Sequence, residues 1–77
     1  DLAKAQTLEE KYAFFINLIG DKDFLVSFEA FTVIQEMEAE IDEATLKQSL
    51  DTLKKVKEPN VSVTDAIQFI EQKLNAN

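Results

Sequence analysis

Residues 21–31 read DKDFLVSFEAF, a polar segment followed by an apolar run that contains the triplet Val26-Ser27-Phe28. A similar triplet, Val61-Ser62-Val63, follows another charged segment in the second half of the chain. Large apolar residues continue after both triplets at helical spacing. They are Phe31, Ile34 and Met37 after the first triplet and Ile67, Phe69, Ile70 and Leu74 after the second. The repeat predicts one helix-loop-helix unit that is used twice.

The composition indicates one small helical domain with few chemical groups for catalysis. The chain has 77 residues, of which 45% are hydrophobic, with one Gly and one Pro. A chain of this size buries about 60–65% of its unfolded surface, so every large apolar side chain counts. The absence of Cys and His excludes thiol catalysis, disulfides, Cys/His zinc sites and imidazole acid-base chemistry. We therefore expect no enzymatic activity, no cofactor and no metal site.

The charge of the chain favours a basic partner. Fifteen acidic residues against eight lysines give a net charge of −7, which repels phosphate backbones and anionic lipids. No apolar run approaches the roughly 18 residues that span a bilayer, and the N-terminal stretch lacks the pattern of a signal peptide. We therefore predict a soluble, cytoplasmic protein that binds neither nucleic acid nor membranes and is monomeric when free.

Capping residues and apolar periodicity predict four helices. Thr7 and Glu10 have the spacing of a capping box, so a first helix is expected at residues 8–19, with Gly20 as its stop. The other predicted caps are Ser27 for a helix that ends near residue 39, Asp42 for a helix that ends in the Lys54, Lys55 and Lys57 cluster, and Ser62 for a helix that ends near residue 74. Pro59 and Asn60 predict a turn before the last helix.

Residues 21–31 resemble part of an EF-hand, because Asp-x-Asp precedes a β-prone residue and the sequence Ser-Phe-Glu-x-Phe. The second half resembles another EF-hand, with a loop at residues 54–65 between two apolar helix patterns. Those patterns are Leu46, Ser49, Leu50 and Leu53 before the loop, and Ile67, Phe69 and Ile70 after it. The whole is similar to one lobe of a calmodulin-like protein. The resemblance implies an all-α fold of two units, residues 8–39 and 43–74, whose loops pair as a minimal β-ribbon through Val26 and Val61.

The departures from the EF-hand pattern indicate that neither loop holds calcium. A calcium loop has oxygen ligands at positions 1, 3, 5, 9 and 12 and Gly at position 6. In the second loop the ligand positions fall on Lys54, Val56, Glu58, Ser62 and Asp65, and the Gly position falls on Pro59. The first loop is one residue short, with Ala30 or Phe31 in the place of the bidentate Glu. A register that begins at Asp21 instead puts Leu25 at position 5 and Thr32 at position 12. Asp21 and Asp23 are interpreted as solvated loop carboxylates or helix caps.

An EF-hand pair without calcium resembles the light chains of myosins, whose lobes hold the basic amphipathic helix of an IQ motif without the ion. The resemblance implies a non-catalytic, calcium-independent module that grips such a helix and could be cytoskeletal through its partner. The expected groove consists of Phe15, Ile19, Phe31, Ile34, Met37, Leu50, Leu53, Ile67 and Ile70. The expected acidic rim, which would steer a basic helix, consists of Glu36, Glu38, Glu40, Asp42 and Glu43.

An alternative function fits the same composition. A small acidic four-helix protein could act as an inhibitor or immunity-type protein that covers a basic site on its target. The two hypotheses differ in topology. Two short extended segments at Val26 and Val61 that pair with each other would support the EF-hand lobe, whereas uninterrupted helix-loop connections would support the alternative.

Overall fold

The computed structural model describes residues 7–76, which form four α-helices and a short 3-10 turn. The elements are α1 Leu8–Ile19, α2 Phe24–Met37, the 3-10 turn Glu38–Glu40, α3 Glu43–Lys54 and α4 Val61–Asn75. The predicted all-α class with four helices is therefore confirmed. Within the described part of the chain, no helix is long and apolar enough to cross a membrane.

Helices α1 and α3 begin where their caps predict. The Thr7 side chain accepts a hydrogen bond from the Glu10 backbone N–H at 3.1 Å, and the Glu10 carboxylate accepts one from the Thr7 N–H at 3.2 Å. Asp42 caps α3 by accepting from the Thr45 N–H at 2.8 Å. Both caps satisfy backbone donors that a first helical turn leaves free, so local chemistry alone fixes these boundaries.

Helices α2 and α4 begin earlier than predicted. Asp23 caps α2 in place of Ser27, because its carboxylate accepts from the N–H groups of the next turn. Asn60 caps α4 in place of Ser62, with its side-chain oxygen 2.9 Å from the Val63 nitrogen. Each predicted serine cap instead lies inside the first turns of its helix and is buried.

The predicted β-ribbon between the loops was wrong. Among residues 7–76 there is no strand, and both Val26 and Val61 are helical. Val26 lies in the first turn of α2 because Asp23 caps that helix, and Val61 is the first residue of α4 because Asn60 caps it. Their backbone groups therefore serve helix starts and cannot pair across the loops.

The two interhelical connections nevertheless lie against each other. The Asn60 side-chain amide donates to the Ser27 hydroxyl at 3.1 Å, and the Ser27 hydroxyl in turn donates to the Ile19 carbonyl. Gly20 approaches Val56 so closely that a Cβ on Gly20 would lie 3.2 Å from the Val56 Cγ2 atom. Side-chain hydrogen bonds and van der Waals contact, rather than a backbone ladder, thus join the two units.

The helices enclose one apolar core. The main contacts join α1 to α2, α3 to α4, α1 to α3, and α2 to α4. The same set of contacts results when α1 and α2 are exchanged with α3 and α4, as expected for a unit that is used twice. The buried apolar residues are Tyr12, Ile16, Ile19, Ala30, Ile34, Ile41, Leu46, Leu53, Val63, Ala66 and Ile70.

We expect Ser27→Ala to lower the free energy of unfolding by about 1–2 kcal/mol, because it leaves the Asn60 amide and the Ile19 carbonyl without this partner. Urea unfolding followed by circular dichroism measures the change. Thr32→Ala is the matched control, since the exposed Thr32 hydroxyl bonds only to the Phe28 carbonyl of its own helix. An equal loss in both variants would contradict a specific role for the Ser27 hydrogen bonds.

Candidate binding surface

The residues predicted to form the partner groove are mostly covered in this structure. Ile19, Ile34, Leu53 and Ile70 lie in the core and are at most 1% exposed. The other members are half-buried and pack against that core. They are Phe15, Phe31, Met37, Leu50 and Ile67. The structure therefore holds the predicted groove closed, because the faces that would line it bury one another.

The predicted acidic rim divides into exposed and buried members. Glu36, Glu40, Asp42 and Glu43 are exposed, whereas Glu38 is 5% exposed. Two of the exposed members have local partners. Asp42 caps α3, where hydrogen bonds from the Thr45 side chain and backbone lower the pKa of Asp42, and Glu43 pairs with Lys47 at 3.1 Å. The residues free to steer a partner are therefore Glu36 and Glu40.

Glu38 and Tyr12 place polar side-chain atoms in the interior, which the sequence pattern did not predict. The Oε1 atom of Glu38 and the hydroxyl of Tyr12 are both buried, and neither has a hydrogen-bond partner among the described residues. Burial raises the pKa of Glu38, although the positive charge of Lys73 opposes the shift. Burial also raises the pKa of Tyr12, and the nearby charge of Glu38 raises it further. These features affect stability more than recognition, because solvent does not reach them.

Large apolar side chains are exposed at other places. The residues that are at least half exposed are Phe14, Phe24, Leu25, Phe28 and Val61. Phe24 and Phe28 stack on successive turns of α2, with ring centroids 6.2 Å apart. Phe31 lies on the next turn and meets Phe69 of α4 edge to face, with centroids 6.0 Å apart. An aromatic row thus runs along α2 and crosses onto α4.

The start of α4 lies beside the start of α2. Val61 follows Asn60, whose amide contacts Ser27 at the start of α2, so the two helix starts are neighbours. Val61, Asp65 and Phe69 recur at a spacing of four residues and share one side of α4. We name the surface formed by Phe24, Phe28, Phe31, Val61 and Phe69 the α2–α4 seam. A shallow depression at its far end is lined by Phe31, Gln35, Asp65, Gln68, Phe69 and Gln72.

The surface between α1 and α3 has the opposite character. Its cleft is lined mainly by polar side chains. They are Glu9, Glu10, Asn17, Thr45, Gln48, Ser49 and Thr52, together with Ala13 and Ile16. The packing therefore leaves one polar face, between α1 and α3, and one aromatic face, between α2 and α4.

The sequence pattern gave no groove or rim role to Phe24, Leu25, Phe28 or Val61. The sequence nevertheless contains a signal for this exposed apolar surface, because Phe24, Leu25 and Phe28 make the start of α2 apolar on more than one side. A helix that only covers a core needs one apolar stripe. The second apolar side is exposed here because the other helices cover only the side that carries Ser27, Ala30 and Ile34.

The first loop uses its carboxylates for local structure. Asp21 accepts from the Asp23 N–H at 2.8 Å, and Asp23 caps α2. Within residues 7–76, no group of three or more acidic side chains is arranged to hold a metal ion.

No protein-family model, curated protein or solved structure is significantly similar to this chain. The EF-hand resemblance therefore rests on the residues of the chain alone.

Proposed function

We propose that this protein is a non-catalytic module that binds a basic amphipathic helix of another protein without calcium. The observation that supports it is the presence of large exposed apolar side chains on an acidic chain of net charge −7. Apolar anchors and unpaired carboxylates are complementary to a helix with one apolar face and one basic face. The module acts in the cytoplasm in this proposal.

The more specific proposal is a single-lobe, myosin light chain-like protein that holds an IQ motif. Two helix-loop-helix units whose connections abut support this proposal, as do the loop positions that lack calcium ligands. Lys54 and Pro59 occupy places in the second loop where a calcium site needs oxygen and Gly. The predicted groove becomes available in this proposal only if the two units move apart.

Calorimetric titration with an IQ-type peptide tests the proposal. We expect binding with the same Kd in calcium and in chelator, and a several-fold weaker Kd at high salt, because exposed carboxylates attract the basic face. A peptide of the same composition, scrambled so that its apolar residues no longer share a face, is the control. Absence of binding to the IQ-type peptide in both conditions would reject the proposal.

The inhibitor or immunity-type function is the second candidate, and one observation favours it. Glu36 and Glu40 are exposed beyond the first turns of α2, at the opposite end from Phe24 and Phe28. A folded basic protein could be covered there without a helix entering an apolar surface. Binding that Glu36→Gln and Glu40→Gln abolish, and that an amphipathic peptide does not compete away, would favour this candidate.

A further inference from the structure

We propose that the α2–α4 seam, and not the predicted groove, is the surface on which a basic amphipathic helix docks. This inference rests on the proposed function and specifies its site. The predicted groove includes four residues of the closed core, so using it requires the core to open. The seam is already on the surface and needs no such rearrangement.

The seam presents aromatic area in an arrangement suited to a helix. Phe24, Phe28 and Phe31 occupy successive turns of α2, and Phe69 and Val61 belong to the neighbouring α4. Phe24 is 50% exposed, Phe28 is 52% exposed and Val61 is 66% exposed. A row of this kind offers apolar contact to residues that recur at three and four along a partner helix. Aromatic side chains supply much of the energy of such contacts.

The charges beside the seam select a basic partner. Asp21 and Asp23 precede Phe24, Glu29 follows Phe28, and Asp65 lines the depression at the far end. Both ion pairs among residues 7–76 lie elsewhere, Lys47 with Glu43 and Lys54 with Glu71. None of the four carboxylates forms an ion pair in the described chain. Two lysines, Lys22 and Lys57, lie near Asp21 in the depression between the two connections. A helix with lysines beside an apolar stripe complements this pattern.

The polar cleft between α1 and α3 argues against the alternative face. It contains Glu9 and Glu10 but lacks exposed large apolar side chains to anchor a helix. Phe14 is exposed on α1, and its ring meets that of Phe15 of the same helix edge to face.

The probe is a synthetic amphipathic helix of Leu and Lys, about 18 residues long, titrated into the full chain by calorimetry. Phe28→Gln is expected to weaken binding by at least about tenfold. Phe14→Gln is the matched control, because Phe14 is 55% exposed and Phe28 is 52% exposed. This control variant is expected to leave the Kd unchanged.

A second pair of variants compares Asp65→Asn at the seam with Asp51→Asn on α3. Only Asp65→Asn is expected to reduce the salt dependence of binding. Urea unfolding of each variant confirms that the fold is retained.

The outcomes separate this inference from the proposed function. If the unaltered chain binds the peptide and Phe28→Gln has no more effect than Phe14→Gln, the seam is overturned while the function stands. If the unaltered chain binds no such peptide, both are overturned. Sedimentation tests a third outcome, a dimer that Phe28→Gln dissociates. If the peptide does not displace the second copy from that dimer, the seam binds another copy of this chain and the proposed partner is wrong.

Discussion

Ile34→Ala is expected to lower the free energy of unfolding by about 2–5 kcal/mol, because it opens a cavity in a core where Ile34 is completely buried. The sequence had placed Ile34 in a groove for a partner helix, where truncation would affect binding far more than folding. Urea unfolding followed by circular dichroism distinguishes the two roles. A small domain has a total stability of about 5–15 kcal/mol, so the expected loss is a large fraction of it.

Two further variants test the prediction even if Ile34→Ala is too unstable to fold. Ile34→Val removes one methylene and is expected to cost about 0.5–1.5 kcal/mol, which a marginal fold can tolerate. Ile67→Ala is the matched control, since Ile67 was assigned to the same groove but is only half-buried, and its cost should be clearly smaller than that of Ile34→Ala. If the two alanine variants lose the same small amount of stability, the closed core around Ile34 is incorrect.

The sequence predicts helix boundaries well where one side chain determines them. Thr7 with Glu10 and Asp42 each satisfy donors of the adjacent turn, so the starts of α1 and α3 follow from local spacing. At α2, both Asp23 and Ser27 are good capping residues, and local spacing cannot rank them. The structure uses Asp23 because Ser27 is committed to the Ile19 carbonyl and to Asn60, which are distant in sequence.

The repeated triplets are not structurally equivalent. Val26 and Ser27 lie beyond the first residues of α2, whereas Val61 and Ser62 are the first residues of α4. The connection at residues 55–60 is longer than the one at residues 20–23, so the same triplet falls at different depths in the two helices. A sequence repeat therefore predicts the repeated unit but not its exact helical register.

The candidate surface was less predictable than the fold. Apolar periodicity shows which residues share a helix face, but it does not show which faces meet. Ile34 and Phe28 are both large apolar residues of α2. Packing against α1 and α4 covers Ile34 and leaves Phe28 half exposed. Only the contacts between helices decide this, and they depend on the whole chain.

The burial of the Glu38 carboxylate has a cost that depends on pH. The 3-10 turn carries Glu38 into the interior, where α1 contributes the Tyr12 hydroxyl and α4 contributes the charge of Lys73. Burial raises the pKa of Glu38 above its usual value of 4.5, so the folded protein binds a proton there more tightly than the unfolded chain. The stabilisation from this proton is present below the unfolded-state pKa and is lost as pH rises through the folded-state pKa.

Glu38→Gln removes the buried ionisable group and is therefore expected to raise the free energy of unfolding at pH 7 by about 1–3 kcal/mol. The gain should shrink as pH falls towards 4.5, the usual pKa of glutamate, because Glu38 in the unaltered protein then binds its proton and no longer carries a buried charge. Urea titrations of both proteins between neutral pH and that value measure the difference. Glu40→Gln is the matched control, since Glu40 lies in the same 3-10 turn but is exposed, and its stability difference should stay small and nearly constant. A loss of stability at pH 7 in Glu38→Gln would show that the carboxylate is satisfied by Lys73, and that its burial carries no net cost.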